Sequence, residues 1–550
     1  MDDLVLTLQH LVDRVIRRFR LGPPPVRSGR RLLIVQIDGL SGSVLDLALA
    51  QRAMPFLAHL IDRRGHRRHD TSVGLPTSTP AFQMATMYGV RPDIPGFHYH
   101  DKRRRTDVYF PRGGDAAWVE ATQAAGRRGI VEGGSTYGCV FTGGAANNVF
   151  NFAMLKRPSG AGLLRVVSAF VVLAWVLIKG TARTIVEITR AVLRLIADPV
   201  VESRRGWKWL LLKVGVSIWA HQFFTLVVSR DLYAGVPAIY VNYLDYDVFA
   251  HAYGPRHRRA LRALQRVDRS IHQLARVIRR VPEYQYDLYV LSDHGQAATV
   301  PYQRVSGGPP LERQFFEEFL VLPQPEDRGA MPPRRRRLAT GIEAYRHAAP
   351  GVWQRFVNYL EEDFPWILGE VRQARERHDV RVVVAGSNAF VYFLDTEAPL
   401  PLEAIDRRAP SLVDDLSRGR GIGFVLVRSA EGPLCVWRGK RYRLSEGDVG
   451  PFAGRPDLPI VLEGIRDLMA MPSAGDLVIY GNDAPEGNVS FIPELGAHAG
   501  PSADELHTFI VSPPAARLSG TITHPIQLYD YFIEYGIASD RGAATRSSGH

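Results

Sequence analysis

Three stretches of this sequence end an apolar run in carboxylate or imidazole. RLLIVQIDG stops at Asp38, AIYVNYLDYDVFAH delivers Asp245, Asp247 and His251, and YDLYVLSDHG closes on Asp293 and His294. One such ending can be a plain turn, with Asp293 bonding its own backbone and His294 facing water. Three of them gather anions that repel one another unless a cation neutralises them, and a bound divalent metal is the usual solution. Imidazole mixed with carboxylate suits zinc and related transition metals better than calcium or magnesium.

A second feature lies between the first two endings. LPTSTPAFQMATMYG places Thr77, Ser78 and Thr79 in a Pro-bounded turn ahead of a helical pattern. A hydroxyl at a helix start is ordinarily an N-cap. Beside a metal crevice it has another use, because a metal-bound hydroxyl loses its proton at neutral pH and becomes a nucleophile, while the helix N-terminus favours a phosphate.

The elements that must position these residues are strands. Short β-branched or aromatic runs bounded by polar residues read as buried strands, and in an open α/β sheet ligands bind where strands end at their carboxyl edge. The expected fold class is therefore α/β. At 550 residues with 46% hydrophobic content the chain can bury a large core, as one domain with insertions or as several. Two cysteines, Cys139 and Cys435, make neither a disulfide framework nor a CxxC site, which fits a reducing compartment. The net charge of +12 comes mostly from scattered arginine, with one dense block at Pro332 to Gly341. No zinc finger, helix-turn-helix or RNP-like pattern accompanies it, so an anionic membrane surface is a better expected partner than nucleic acid.

Two segments lean toward such a surface. Leu4, Leu8, Leu11, Val15 and Phe19 share one helical face, with Arg14, Arg17, Arg18 and Arg20 around it, before Gly22 and three prolines. Packing on the protein's own surface would use the same pattern. The stretch 159–228 is hydrophobic, but its first unbroken apolar run, Val166 to Ile178, has 13 residues, short of the about 20 that cross a bilayer. A hairpin that lies in the membrane interface or caps the active site is expected there rather than a span. With no signal-peptide pattern, the expected location is cytoplasmic, peripheral at the inner face of the membrane.

Taken together, Asp38, the PTST turn ending at Thr79, DVFAHAYGP from Asp247 to Pro255, DHG from Asp293, and GAHAG around His498 resemble the alkaline phosphatase superfamily in its nucleotide pyrophosphatase/phosphodiesterase branch. Gly89 and Pro92 follow Thr79 at the branch's spacing, which favours Thr79 over Thr77 or Ser78. The resemblance implies a mostly parallel central sheet flanked by helices, and it leaves uncovered the hydrophobic helical insertion, which is read from the residues alone. It implies two divalent ions, zinc or alternatively manganese, one held by Asp38, Thr79, Asp293 and His294 and the other by Asp247, His251 and His498. It further implies phosphodiester hydrolysis through a phospho-threonine formed on Thr79. Where the branch has an Asn three residues past the nucleophile this chain has Phe82, with Gln83 as the neighbouring amide that could replace it.

The resemblance covers Leu32 to about Pro514. The expected organisation is a basic N-terminal helix and linker over 1–30, catalytic core over 31–158, 229–322 and 381–537, the hydrophobic insertion over 159–228, a charged insertion over 323–380, and a tail over 538–550. Rival readings are a phosphoethanolamine or phosphoglycerol head-group transferase, a phosphomonoesterase of the same superfamily, and a catalytically dead membrane-surface binding protein. A sulfatase is disfavoured because no Cys-x-Pro-x-Arg motif surrounds Thr79.

Overall fold

The computed structural model describes residues 29–149, 219–320, 379–445, 447–516 and 520–535, with short pieces between 180 and 189, at 376–377 and at 518. The N-terminal helix, most of the hydrophobic insertion, nearly all of the charged insertion and the tail lie outside the described residues.

The fold is α/β. Its central sheet is built from β1 (Arg31–Ile37), β2 (Arg67–Ser72), β5 (Ser135–Tyr137), β6 (Asn147–Val149), β7 (Ala238–Tyr243), β8 (Tyr286–Leu291) and β16 (His507–Ser512), in the spatial order β2-β16-β8-β1-β7-β5-β6. β1 pairs parallel with β7 and β8, β5 pairs parallel with β7 and β6, and β16 runs antiparallel between β2 and β8. Every residue of β1, β7 and β8 is buried. That is the reason their sequences are nearly continuous apolar runs: a parallel sheet is covered on both faces. The strand period divides each run between two cores, so Leu32 and Ile34 face one while Leu33, Val35 and Ile37 face the other.

Helices α1 (Gly42–Ala50), α2 (Pro55–Arg64), α3 (Thr79–Tyr88), α4 (Gly113–Gln123), α5 (His221–Ala234), α6 (Asp245–Tyr253) and α7 (Arg258–Arg280) surround the sheet, and β3 (His98–Asp101) and β4 (Thr106–Tyr109) form a separate hairpin. The hydrophobic face of α7 shows the rule: Leu261, Leu264, Val267, Ile271, Leu274 and Val277 recur at helical spacing and are all buried.

The later strands form a second sheet rather than extending the first. β9 (Glu376–Arg377), β10 (Val380–Val384), β11 (Asn388–Phe393), β12 (Phe424–Ser429), β13 (Gly432–Trp437), β14 (Lys440–Tyr442) and β15 (Leu477–Tyr480) are all antiparallel, in the order β9-β10-β11-β15-β12-β13-β14. Phe390, Tyr392, Leu426 and Tyr480 on one face join the same core as Leu32 and Ile34, while Val391, Phe393, Val425 and Val427 face a third core. One continuous apolar layer thus joins the two sheets. Among the described residues no single helix is long and apolar enough to cross a membrane.

Candidate metal centre

The three adjacent strands β8, β1 and β7 end side by side, and each releases polar residues at the same edge. Asp38 follows β1, Asp245 and Asp247 open α6 just after β7, and Ser292, Asp293 and His294 follow β8. Gly39 has φ +74°, and a Cβ there would lie 2.6 Å from Asp247 Oδ1, so only glycine lets the β1 turn approach α6 this closely. His251 stands one helical turn after Asp247 on α6. Thr79 begins α3, with Pro80 in the first turn and Gly89 at φ +65° ending the helix.

The Thr79 hydroxyl meets two of these groups. Its Oγ1 is 3.3 Å from Asp38 Oδ1 and 3.1 Å from His294 Nε2. His294 Nε2 also lies 3.6 Å from Asp38 Oδ1 and 3.5 Å from Asp293 Oδ2. His498 arrives on a loop and stacks on His294, with ring centroids 3.9 Å apart and planes at 23°. Asp38, Asp293 and His294 offer ligand atoms within 4.8 Å of one another, and so do Asp247, His294 and His498. His251 is just outside the second group, its Nε2 3.4 Å from Asp247 Oδ1 and its ring centroid 5.1 Å from that of His498.

All three imidazoles face the same way. His294 Nδ1 contacts Gly295 O at 3.0 Å, His498 Nδ1 contacts Thr77 O at 2.8 Å, and His251 Nδ1 contacts Gly496 O at 2.8 Å. A carbonyl only accepts, so each Nδ1 carries a proton, and in the neutral His294 and His498 rings Nε2 presents its lone pair, the form that ligates a metal; at His251, burial opposes the charged ring but the Asp247 and Glu494 carboxylates outweigh it and favour the protonated ring in the absence of a metal. His251 Nδ1 is also 2.8 Å from Glu494 Oε2.

The electrostatics ask for a cation. Burial drives Asp38 well above the usual carboxylate range, and the Asp293 and Asp247 charges add to it against the Asn242 hydrogen bond. Burial likewise pushes Asp293 up to about 7. Burial would raise Asp247 too, but the His251, His498 and His294 imidazoles outweigh it and hold it below its ordinary value. Desolvation lowers His294 to about 4 and His498 to about 3, which keeps both rings neutral. Asp293 Oδ2 is buried without a hydrogen-bond partner. A buried carboxylate oxygen left bare among neutral imidazole lone pairs is a donor set that fits a transition-metal ion.

The amide expected to replace the missing Asn is committed elsewhere. Gln83 Nε2 donates to Gln36 Oε1 at 3.1 Å and Gln83 Oε1 accepts from Val140 N at 2.8 Å, so both ends serve the fold. Phe82 is buried in the core. Two polar residues that the motifs do not include touch the carboxylates directly. Asn242 Nδ2 donates to Asp38 Oδ2 at 2.7 Å, and Gln296 Nε2 donates to Asp247 Oδ1. The available signal for Asn242 was a lone amide in the apolar run of β7; for Gln296 it was adjacency to Gly295.

Residues 213–363 match the family model described as type I phosphodiesterase / nucleotide pyrophosphatase. Over this segment the chain is similar to that family. The segment contributes β7, α6 and β8, and with them Asp247, His251, Asp293 and His294, while Asp38, Thr79 and His498 come from outside the match. The family lies in the alkaline phosphatase superfamily, its chemistry is phosphate-ester hydrolysis, and it is metal-dependent in general. Comparison with curated proteins finds no match.

Proposed function

We propose that this phosphodiesterase-family chain hydrolyses phosphodiesters with Thr79 as nucleophile, in a centre that holds two divalent cations. The observation that carries the reading is the position of Thr79 Oγ1, 3.1 Å from His294 Nε2 and 3.3 Å from Asp38 Oδ1 at the N-terminus of α3. Asp38, Asp293, His294 and Thr79 would hold one ion, and Asp247 and His498, with His251 or His294, the other. Bound there, the cations would lower the pKa of the Thr79 hydroxyl and neutralise phosphate oxygens.

The chain's own residues supply the rest. Thr79 Oγ1 loses its proton and attacks phosphorus, the ester oxygen opposite leaves as the alcohol, and a threonine-linked phosphodiester that keeps the second ester group remains until water hydrolyses it to the monoester and free Thr79. The nucleophile is held by the rigid start of α3, so its approach does not depend on loop motion. Amides of the first turn of α3 favour the negative charge of the transferring group. Asn242, on Asp38, and Gln296, on Asp247, fix the orientation of their carboxylates.

The test is an activity panel with bis-p-nitrophenyl phosphate, p-nitrophenyl phosphate, nucleotides and phospholipid head-group esters, combined with acid-quench mass spectrometry. A phosphoryl adduct on Thr79 that retains the remaining ester group (p-nitrophenylphosphoryl from the bis ester) and preference for diesters are expected. Preference for the monoester would make the chain a phosphatase, transfer to an added alcohol would make it a head-group transferase, and no turnover together with no bound metal would make it a binding protein.

A further inference from the structure

The loop that carries His498 is gripped from two sides. On one side Thr77, two residues before the nucleophile, takes the His498 Nδ1 proton on its carbonyl, receives Ala499 N on Oγ1 at 2.9 Å, and donates Oγ1 to Gly500 O at 3.1 Å. On the other side stands Glu505. Its side chain is fully buried, yet its partners are all neutral donors. Oε1 accepts from Gly500 N at 2.9 Å and faces Ser387 Oγ at 3.4 Å, and Oε2 accepts from Asn482 Nδ2 at 2.7 Å, Ser502 N at 3.3 Å and Ser502 Oγ at 2.5 Å.

Burying a carboxylate without a cation is costly, so five donors in one place ask for a reason. Helix capping accounts for only part of them. Ser502 and Glu505 form a capping box on the short helix Ala503–Leu506, and that motif uses Oε2 alone. Oε1 serves the His498 loop, and Asn482 follows β15 of the second sheet. Ser387, before β11, donates 2.9 Å to His498 O as well. The Glu505 carbonyl meanwhile accepts from Gly295 N at 2.9 Å, the residue after His294. One residue therefore touches both loops whose imidazoles stack, and ties them to the second sheet. The loop itself needs restraint, since Ala499 has φ +96°, a conformation unfavourable for any residue but glycine.

We infer that Glu505 is a positioning residue that sets His498 against His294, and thereby governs how tightly the cation between Asp247, His294 and His498 is held. The inference rests on the metal-dependent reading above. Glu505 itself ligates nothing.

The experiment titrates the metal-stripped full chain with Zn2+ against a chromophoric chelator, in wild type, Glu505→Gln and Glu120→Gln, with thermal melting alongside. Glu120 is the control because it too collects several donors, from Tyr88, Thr142 and Gly143, but braces a turn that holds none of the proposed ligands. In Glu505→Gln the amide must turn a donor toward another donor. One of the two Zn2+ ions is expected to lose about 10- to 100-fold in affinity, the usual effect of removing a partner one shell out from a ligand. The other should stay within about 3-fold, and Glu120→Gln should melt lower with both affinities unchanged. Wild-type affinities in Glu505→Gln, or equal loss at both ions, overturn the inference while leaving the metal centre standing. Wild type that binds no Zn2+ overturns the metal-dependent reading itself. Should Glu505→Gln fail to fold, Asn482→Ala removes one donor from the same carboxylate and carries the same expectation.

Discussion

The carbonyl of Thr77 accepts the Nδ1 proton of His498 at 2.8 Å, so the turn that presents Thr79 also chooses the tautomer of the most C-terminal imidazole in the centre. Two features that read as separate motifs, more than four hundred residues apart, are one mechanical unit.

Thr77→Val keeps the shape of the side chain and deletes both Oγ1 hydrogen bonds to the loop. Thr77 is fully buried, so Ala499 N and Gly500 O lose partners that water cannot replace. The expected cost is about 1–3 kcal/mol of stability. Denaturant unfolding measures it, and an unchanged midpoint would show that the loop holds itself.

Thr79→Ala should remove turnover and the phosphoryl adduct while leaving melting temperature and at least one bound metal in place. On the proposed mechanism, imidazoles and carboxylates would provide most of the affinity and the hydroxyl the reaction. Thr79→Ser should keep part of the rate. Wild-type activity in the Ala variant would falsify the assignment of the nucleophile.

Chelation should inactivate the protein, and zinc or manganese should restore it. Asp293→Asn touches the group around Asp38, and His251→Ala touches the group around Asp247. Elemental analysis should find each variant depleted, by different amounts. Full metal content in both would leave the two-ion arrangement without support.

The metal-stripped protein should lose stability as pH rises above about 6.5. His251 is raised above its unfolded value; burial opposes this, but the Asp247 and Glu494 carboxylates outweigh it, and Asp38 and Asp293 are raised as well. A raised group keeps its proton in the folded state after the unfolded chain has released it, so its stabilisation is present below the unfolded pKa and is lost through the folded one. His294 and His498, lowered to about 4 and about 3, act in the opposite sense, but only below the ordinary histidine value of 6.5. Melting curves near about pH 6.5 and about pH 8.5 should therefore differ without metal and converge with it. A higher melting temperature at the alkaline end without metal contradicts this.

Liposome flotation tests the membrane expectation. In the part of the hydrophobic insertion that is described, Ile185, Val186 and Ile188 are 59%, 48% and 44% exposed, which is apolar surface available to a bilayer interface. The full chain should float with anionic liposomes at low salt, and less so without residues 1–24 or at high salt. Protein that stays at the bottom under all conditions ends that reading.

How much of this could be read from the sequence depended on whether a signal was local. The ends of β1, β7 and β8 were legible because a two-sided strand must be apolar until it stops, so Asp38, Asp245 and Asp293 stand out as the first charges past a run, with Asp247 two residues further on. Strands such as Phe424–Ser429 and Leu477–Tyr480 were legible as strands but not as a separate antiparallel sheet, because an apolar run does not name its partner. Glu505 offers in the sequence only a capping spacing to Ser502, because Asn482 and Ser387 meet it only in space. Gln83 misled for the converse reason: adjacency to Phe82 in the sequence says nothing of Gln36 and Val140, which occupy it.

The central sheet also orders events during synthesis. Its middle strands and the carboxylates at their ends emerge from the ribosome well before His498 and β16, which must still slot antiparallel between β2 and β8. A nascent chain therefore holds Asp38, Asp247 and Asp293 without the imidazole that stacks on His294, so on the proposed two-cation reading a cation captured early would meet an incomplete set. Arrival of the 496–512 segment would complete it, and loss of the segment would then be a defect of maturation as much as of catalysis.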